Sequence, residues 1–133
     1  MIDIFPYAPH HFDWLNIREA GAVRPHPSAQ AVSLFVGEEI IAILGGVMIL
    51  EGVMLVWALV SDKIRKYPVE FHKTVKGLID YQMDRGVRRM QLTVKSSYEM
   101  GARWAEALGF QREGTMRKYH PDGSDSFLYA RTA

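Results

Sequence analysis

The sequence predicts an α/β (α+β) domain: a mixed central sheet flanked by helices. The expected order is strand, helix, three strands, helix, strand, helix, two strands. Three observations carry that prediction. Residues 53–60 form an unbroken apolar run, without the alternation of a half-solvated strand, so they read as a strand buried on both faces in mid-sheet. A basic loop follows, then Pro68, which suits a first helical turn. Beyond it Phe71, Val75, Leu78, Ile79 and Gln82 share one stripe, while Lys73, Lys76, Asp80 and Asp84 face elsewhere. Finally, residues 88–94 alternate as a strand, and the turn at residues 121–124 joins two further strand-like runs into a hairpin.

Residues 2–5 alternate and read as a short first strand. Pro9 opens a helix through Phe12, Leu15, Asn16 and Ile17 to about Glu19. Residues 21–28, with Pro25 and Pro27, read as a loop that leaves His26 at the surface. Residues 31–36 and 40–50 read as strands around a turn at Gly37, the second bent at Gly45-Gly46. Glu51-Gly52 turns the chain into the central strand. The helix from Pro68 ends at Arg85-Gly86. Ser96 or Ser97 is expected to cap the last helix, with Glu99 in its first turn. Tyr98, Gly101, Ala102, Ala105 and Leu108 form its apolar stripe, and Gly109 ends it. Residues 110–119 and 126–132 make the closing hairpin.

At 133 residues the chain is expected to be one domain, 1–133. With 48% apolar residues it can fill a core, and with no cysteine it has no disulfide, thiolate metal site or thiol nucleophile. The N-terminus lacks a basic stretch followed by an apolar one, so no signal peptide is expected and the expected location is cytoplasmic. Residues 40–60 are mostly apolar, but Glu51 and three glycines argue for two strands rather than a membrane span. Residues 1–62 hold two basic and seven acidic residues, net −5; residues 63–133 hold fourteen basic and eight acidic, net +6. That asymmetry suits a polyanionic ligand, but from charge alone solvated helix faces are the better reading. A nucleic-acid binder ranks last, because the basic residues lie on several elements without a recognised motif. The five histidines show no metal-site spacing, and Ser96 and Ser97 lack a nucleophile-elbow frame.

The segment 102–114, with Leu108-Gly109-Phe110 and then Glu113-Gly114, followed by Tyr129-Ala130-Arg131, resembles the C-terminal half of the GNAT superfamily of acyl-CoA-dependent N-acyltransferases. The likeness in element order covers nearly the whole chain. A closer likeness is to a branch of small phage proteins that includes a small internal virion protein of short-tailed phages. It is carried by Trp57 leading into Val60-Ser61-Asp62 and by the pair Arg103-Trp104. A phage source would place the protein in the host cytoplasm or the virion.

The resemblance implies a V-shaped cleft between strands 53–60 and 88–94, and acetyl-CoA or another acyl-CoA as cofactor. It implies that the backbone of Leu59, Val60 and Ser61 pairs with the pantetheine arm. The phosphates would lie over the start of the helix at Pro68, near Arg65, Lys66 and Tyr67. The acceptor would be an amine on a protein or small molecule, and a homodimer is allowed.

The sequence also departs from the family. Active members carry a glycine-rich loop after the central strand; residues 63–69 have no glycine, and Pro68 removes an N–H donor. Arg65 and Lys66 replace backbone donors with charge or are a solvated basic loop. Where the family often has an asparagine, this chain has Tyr98; where it often has an acid tyrosine, it has Ala105. Tyr98 is the candidate substitute acid and a cofactor contact, or else a core tyrosine. Glu51, His72 and His120 are the nearest general-base candidates, and each reads better as a surface group; water can serve in this family. Two functions follow: an N-acyltransferase, or a catalytically inactive relative with a structural or host-interaction role in a phage.

Overall fold

A computed structural model of the chain describes residues 1–15, 17 and 23–133. Among the described residues seven strands and three helices follow in the order β1 (Asp3–Pro6), α1 (Pro9–Leu15), β2 (Ala31–Val36), β3 (Glu39–Leu50), β4 (Val53–Val60), α2 (Pro68–Asp84), β5 (Arg89–Lys95), α3 (Glu99–Ala107), β6 (Gln111–Met116) and β7 (Ser126–Thr132). A single-turn 3-10 helix, Asp62–Lys66, joins β4 to α2. The strands hydrogen-bond in the order β1-β2-β3-β4-β5-β7-β6. The pairs β1–β2, β2–β3, β5–β7 and β6–β7 are antiparallel and β4–β5 is parallel, so the sheet is mixed as expected. The expected end of the first helix, Asn16 to Glu19, and the loop start at Gly21 lie outside the described residues, apart from Ile17, which is not helical. Among the described residues no helix is long and apolar enough to cross a membrane.

The chain divides into two compact units, each discontinuous in sequence: Met1–Val47 with Val56–Leu78, and Met48–Leu55 with Ile79–Ala133. In the first, Tyr7, Leu15, Phe35, Ile40 and Ile43 form a buried cluster, with Phe12, Ile17, Ala31, Trp57 and Leu59 packed on it. Phe71 and Val75 on the apolar stripe of α2 are also buried. The irregularity in β3 falls at Ile41, between the pairs Leu34↔Ala42 and Phe35↔Ile40. Gly45 also makes a close contact described below.

The second unit is built on β5, whose register runs Arg89↔Thr132 to Lys95↔Ser126 along β7. Met90, Val94, Ala102, Ala105, Leu108, Phe110 and Tyr129 are buried there. Small residues on α3 let the helix lie close to its support, as the stripe predicts. Tyr98, the first position of that stripe, is 51% exposed, because it stands at the helix N-cap and folds back over Gly101. Neither serine caps α3: its N-cap is Tyr98, with no side-chain cap bond. β6 is shorter than expected because Lys118 takes a left-handed φ of 55° and begins the turn early. There Asp125 Oδ1 accepts the Lys118 N–H at 3.0 Å. Lys95, 2.8 Å away, and then Ser124 hold the Asp122 carboxyl well below the usual carboxylate range.

The central strand is buried less than its letters suggest. Only Val53 and Met54 are buried; Leu55 to Trp57, Leu59 and Val60 are half-buried and Ala58 is exposed. The parallel ladder with β5 covers just Val53↔Arg89, Met54↔Met90 and Leu55↔Gln91. β4 runs on past that ladder to Val60.

Candidate active site

The candidate cofactor residues Leu59, Val60, Ser61, Arg65, Lys66 and Tyr67 form one continuous stretch in the first unit. Ser61 N donates to Ile41 O of β3 at 3.0 Å. Backbone groups alternate between the two edges of a strand, so those of Leu59 also turn toward β3 while those of Ala58 and Val60 turn away. A side chain on Gly45 would overlap the six-membered ring of Trp57, so the indole lies flat on bare β3 backbone.

After Val60 the chain winds tightly. Ser61 caps the 3-10 helix, its hydroxyl accepting from Lys63 N at 3.2 Å. Ile64 N donates to Ser61 O at 3.2 Å, and Tyr67 N to Ile64 O at 2.9 Å. These N–H groups, which a glycine-rich loop would aim outward, are spent on the loop itself. Pro68 then opens α2 without an N–H. The first turn of α2 leaves Val69 and Glu70 N–H at its positive end, where an anion is favoured. The Glu70 carboxylate sits at the same turn and accepts from Ile2 N at 2.6 Å. The cations are partly matched: Lys63 lies 3.8 Å from Glu39 and Arg65 4.0 Å from Asp62, both pairs well exposed. Such surface pairs hold weakly and yield to a stronger anion.

Tyr98 belongs to the second unit. Its ring is within 2.6 Å of where a Gly101 Cβ would stand, so Gly101 gives the ring its room. Of the general-base candidates, Glu51 is at the β3–β4 turn as expected, and His72 is half-buried on α2. His120 was expected at the surface but is half-buried, with Nε2 enclosed and unpartnered. The cause is the tight turn that follows it, closed by Gly123 N to His120 O at 2.8 Å. Among the described residues no cluster of three or more metal-ligating side chains occurs.

Two features escaped the sequence reading. His11 is buried, and its Nδ1 accepts from Ala8 N at 3.1 Å and faces Ser33 Oγ at 2.8 Å, which fixes the proton on Nε2. Burial, helped by neighbouring His10, lowers its pKa. The only sequence signal was a histidine one helical turn ahead of Leu15. The other is a pocket of about 340 Å³ lined by Val23, Arg24, Pro25, His26, Ala29, Trp57 and Leu59. The alternate positions 57 and 59 of an apolar strand signalled one wall; nothing local signalled the other.

No family model and no curated protein matches this sequence. Solved structures do match its fold. Ard1 from Thermoplasma volcanium superposes with a TM-score of 0.82 at 11% identity, covering 99% of this chain and 97% of that one. The ribosomal-protein-S18-alanine N-acetyltransferase from Escherichia coli gives 0.77 at 18%, covering 99% and 94%. A ribosomal L7/L12 alpha-N-protein acetyltransferase in complex with coenzyme A gives 0.68 at 18%, covering 77% of this chain and 60% of that one. The chain therefore has the GNAT acyl-CoA N-acyltransferase fold. At these identities the likeness is one of fold, and function must come from the residues.

Proposed function

We propose that the chain is an acyl-CoA-dependent N-acyltransferase that moves an acetyl group to an amine. The observation that carries this reading is the free half of β4. Ala58 and Val60 turn their backbone groups away from β3 and lie beyond the three-pair ladder. A pantetheine arm, with its two amides, is the kind of group that pairs with such a strand. Bound there, the thioester would supply an activated acyl group whose C–S bond is exchanged for a C–N bond with the acceptor.

The chain's own residues would act as follows. The Ala58 and Val60 backbone orients the arm, and Leu59 excludes water from its inner side. Arg65 and Lys66, with Val69 and Glu70 N–H, meet the phosphates mainly through side-chain charge. The acceptor ammonium loses its proton to water, and Tyr98, the substitute acid the family resemblance offers, is tested by substitution. Calorimetry with acetyl-CoA tests the reading: saturable binding that weakens steeply with salt is expected, and no binding at millimolar cofactor overturns it. Tyr98→Phe is expected to lower kcat and leave cofactor affinity unchanged.

One observation favours a second reading. The N–H groups of the loop are spent internally, and Glu39 and Asp62 stand against Lys63 and Arg65. That balance suits a GNAT-like protein of the phage-type branch that has lost catalysis and keeps a structural or host-interaction role. The same calorimetry separates the two.

A further inference from the structure

The pocket beside β4 has a composition of its own. Its floor is Trp57, held flat by the absence of a side chain at Gly45, with Leu59 beside it. Its opposite wall is the segment 23–29, tied down at several points. Tyr7 Oη donates to Pro25 O at 2.8 Å, the Arg24 guanidinium bonds Asp13 Oδ1, and His26 Nδ1 faces Ser28 Oγ at 2.7 Å. Arg24 also lies 5.8 Å from the centroid of the Phe12 ring. Among the described residues no carboxylate lines the pocket itself; its charged member, Arg24, is paired with Asp13. At about 340 Å³ it is near the lower end of the range for ligand sites, enough for one ring rather than an extended chain.

We infer that the acceptor is a primary amine carrying a single aromatic group one or two carbons from its nitrogen. The ring would lie on Trp57 against Leu59 and Pro25. This rests on the acyltransferase reading, because Leu59 belongs both to the pocket and to the stretch assigned to the cofactor. The argument is one of charge and shape. A polyamine brings further ammonium groups into a pocket whose one charged side chain is a cation already paired with Asp13, whereas a ring buries apolar surface and stacks on an indole. Offset and edge-to-face aromatic pairs add about 0.5–1.5 kcal/mol beyond area burial. A bare alkylamine leaves the pocket empty.

The test is a nuclear magnetic resonance titration of the whole ¹⁵N-labelled chain with 2-phenylethylamine, methylamine and spermidine, following the Trp57 indole N–H. Phenylethylamine is expected to bind at least tenfold more tightly than the other two and to shift that signal. Trp57→Ala should abolish the difference and Trp57→Phe retain most of it, which guards against a merely misfolded alanine variant. Equal or tighter binding of spermidine or methylamine overturns the inference, as does phenylethylamine binding that leaves Trp57 unmoved. Acetyl-CoA binding is measured separately. If acetyl-CoA binds but the three amines are acetylated equally well, the acceptor class falls and the acyltransferase reading stands. If phenylethylamine binds at Trp57 and acetyl-CoA does not bind at all, the pocket's preference stands and the acyltransferase reading falls.

Discussion

The stretch from α3 to β7 and the connection from β4 to α2 use their polar groups in opposite ways. In the first, Tyr129, Arg131 and Gly109 of the motif are spent on holding the chain. Tyr129 is fully buried; its hydroxyl accepts from Arg112 Nη2 at 3.0 Å and donates to Glu106 Oε2 at 3.0 Å. Arg131 bonds Asp80 Oδ1 at 2.8 Å and Leu108 O at 3.3 Å, so it closes the C-terminal end of α3. Gly109, at a φ of 94°, passes under the Arg131 side chain. In the second stretch the backbone N–H groups and the Ser61 hydroxyl are spent on the loop, while Arg65 and Lys66 stay exposed, with only a long surface pair from Arg65 to Asp62. A sequence motif can thus be a scaffold signature in one place while ligand chemistry in another carries no motif at all.

Substitutions should separate the two stretches. The largest effect is expected for Tyr129→Ala, a loss of about 3–5 kcal/mol in urea unfolding, because it leaves a cavity at a fully buried ring. Tyr129→Phe should cost about 1 kcal/mol. Gly109→Ala forces a side chain into the left-handed region and should cost about 1–3 kcal/mol by the same measurement. The double change Arg65→Ala with Lys66→Ala should move stability by no more than about 0.5 kcal/mol, yet weaken acetyl-CoA binding roughly tenfold in calorimetry. Glu70→Gln should tighten that binding a few-fold, since it removes a negative charge from a positive helix end. A scaffold change that alters cofactor affinity without altering stability would erase the contrast.

The smallest expected effect concerns His11. Burial lowers its pKa in the folded chain, so the unfolded chain takes up the proton first as pH falls. Stability is then fully present above the unfolded value of about 6.5 and declines as pH drops below it. His11→Gln should flatten that part of the pH profile of unfolding, as measured between neutral pH and pH 5.5.

Much of the fold was legible because it depends on local patterns. The bounds of β2, β4, β7 and α2 follow from apolar runs and from proline and glycine at their ends. The misreadings share a cause. Full burial of β4, a serine cap on α3, a longer β6 and an exposed His120 were all inferred from letters whose fate is set by distant partners. Nothing near residue 55 says that the parallel ladder ends there, and nothing near Lys118 says that Asp125 will hold it in a left-handed turn. The candidate site was legible as a place, the strand–loop–helix junction, but not as a chemistry. Whether Lys63 faces a phosphate or Glu39 is decided by the turn between β2 and β3, not by the loop's own sequence.

The three-pair ladder between β4 and β5 has a consequence in time. The β6–β7 hairpin is local, and closures of that kind take on the order of microseconds. Val53 can meet Arg89 only after the intervening chain, including all of α2, has been gathered in, and such distant parallel pairings form slowly. This three-pair seam is therefore expected to be among the last to close on a newly made chain.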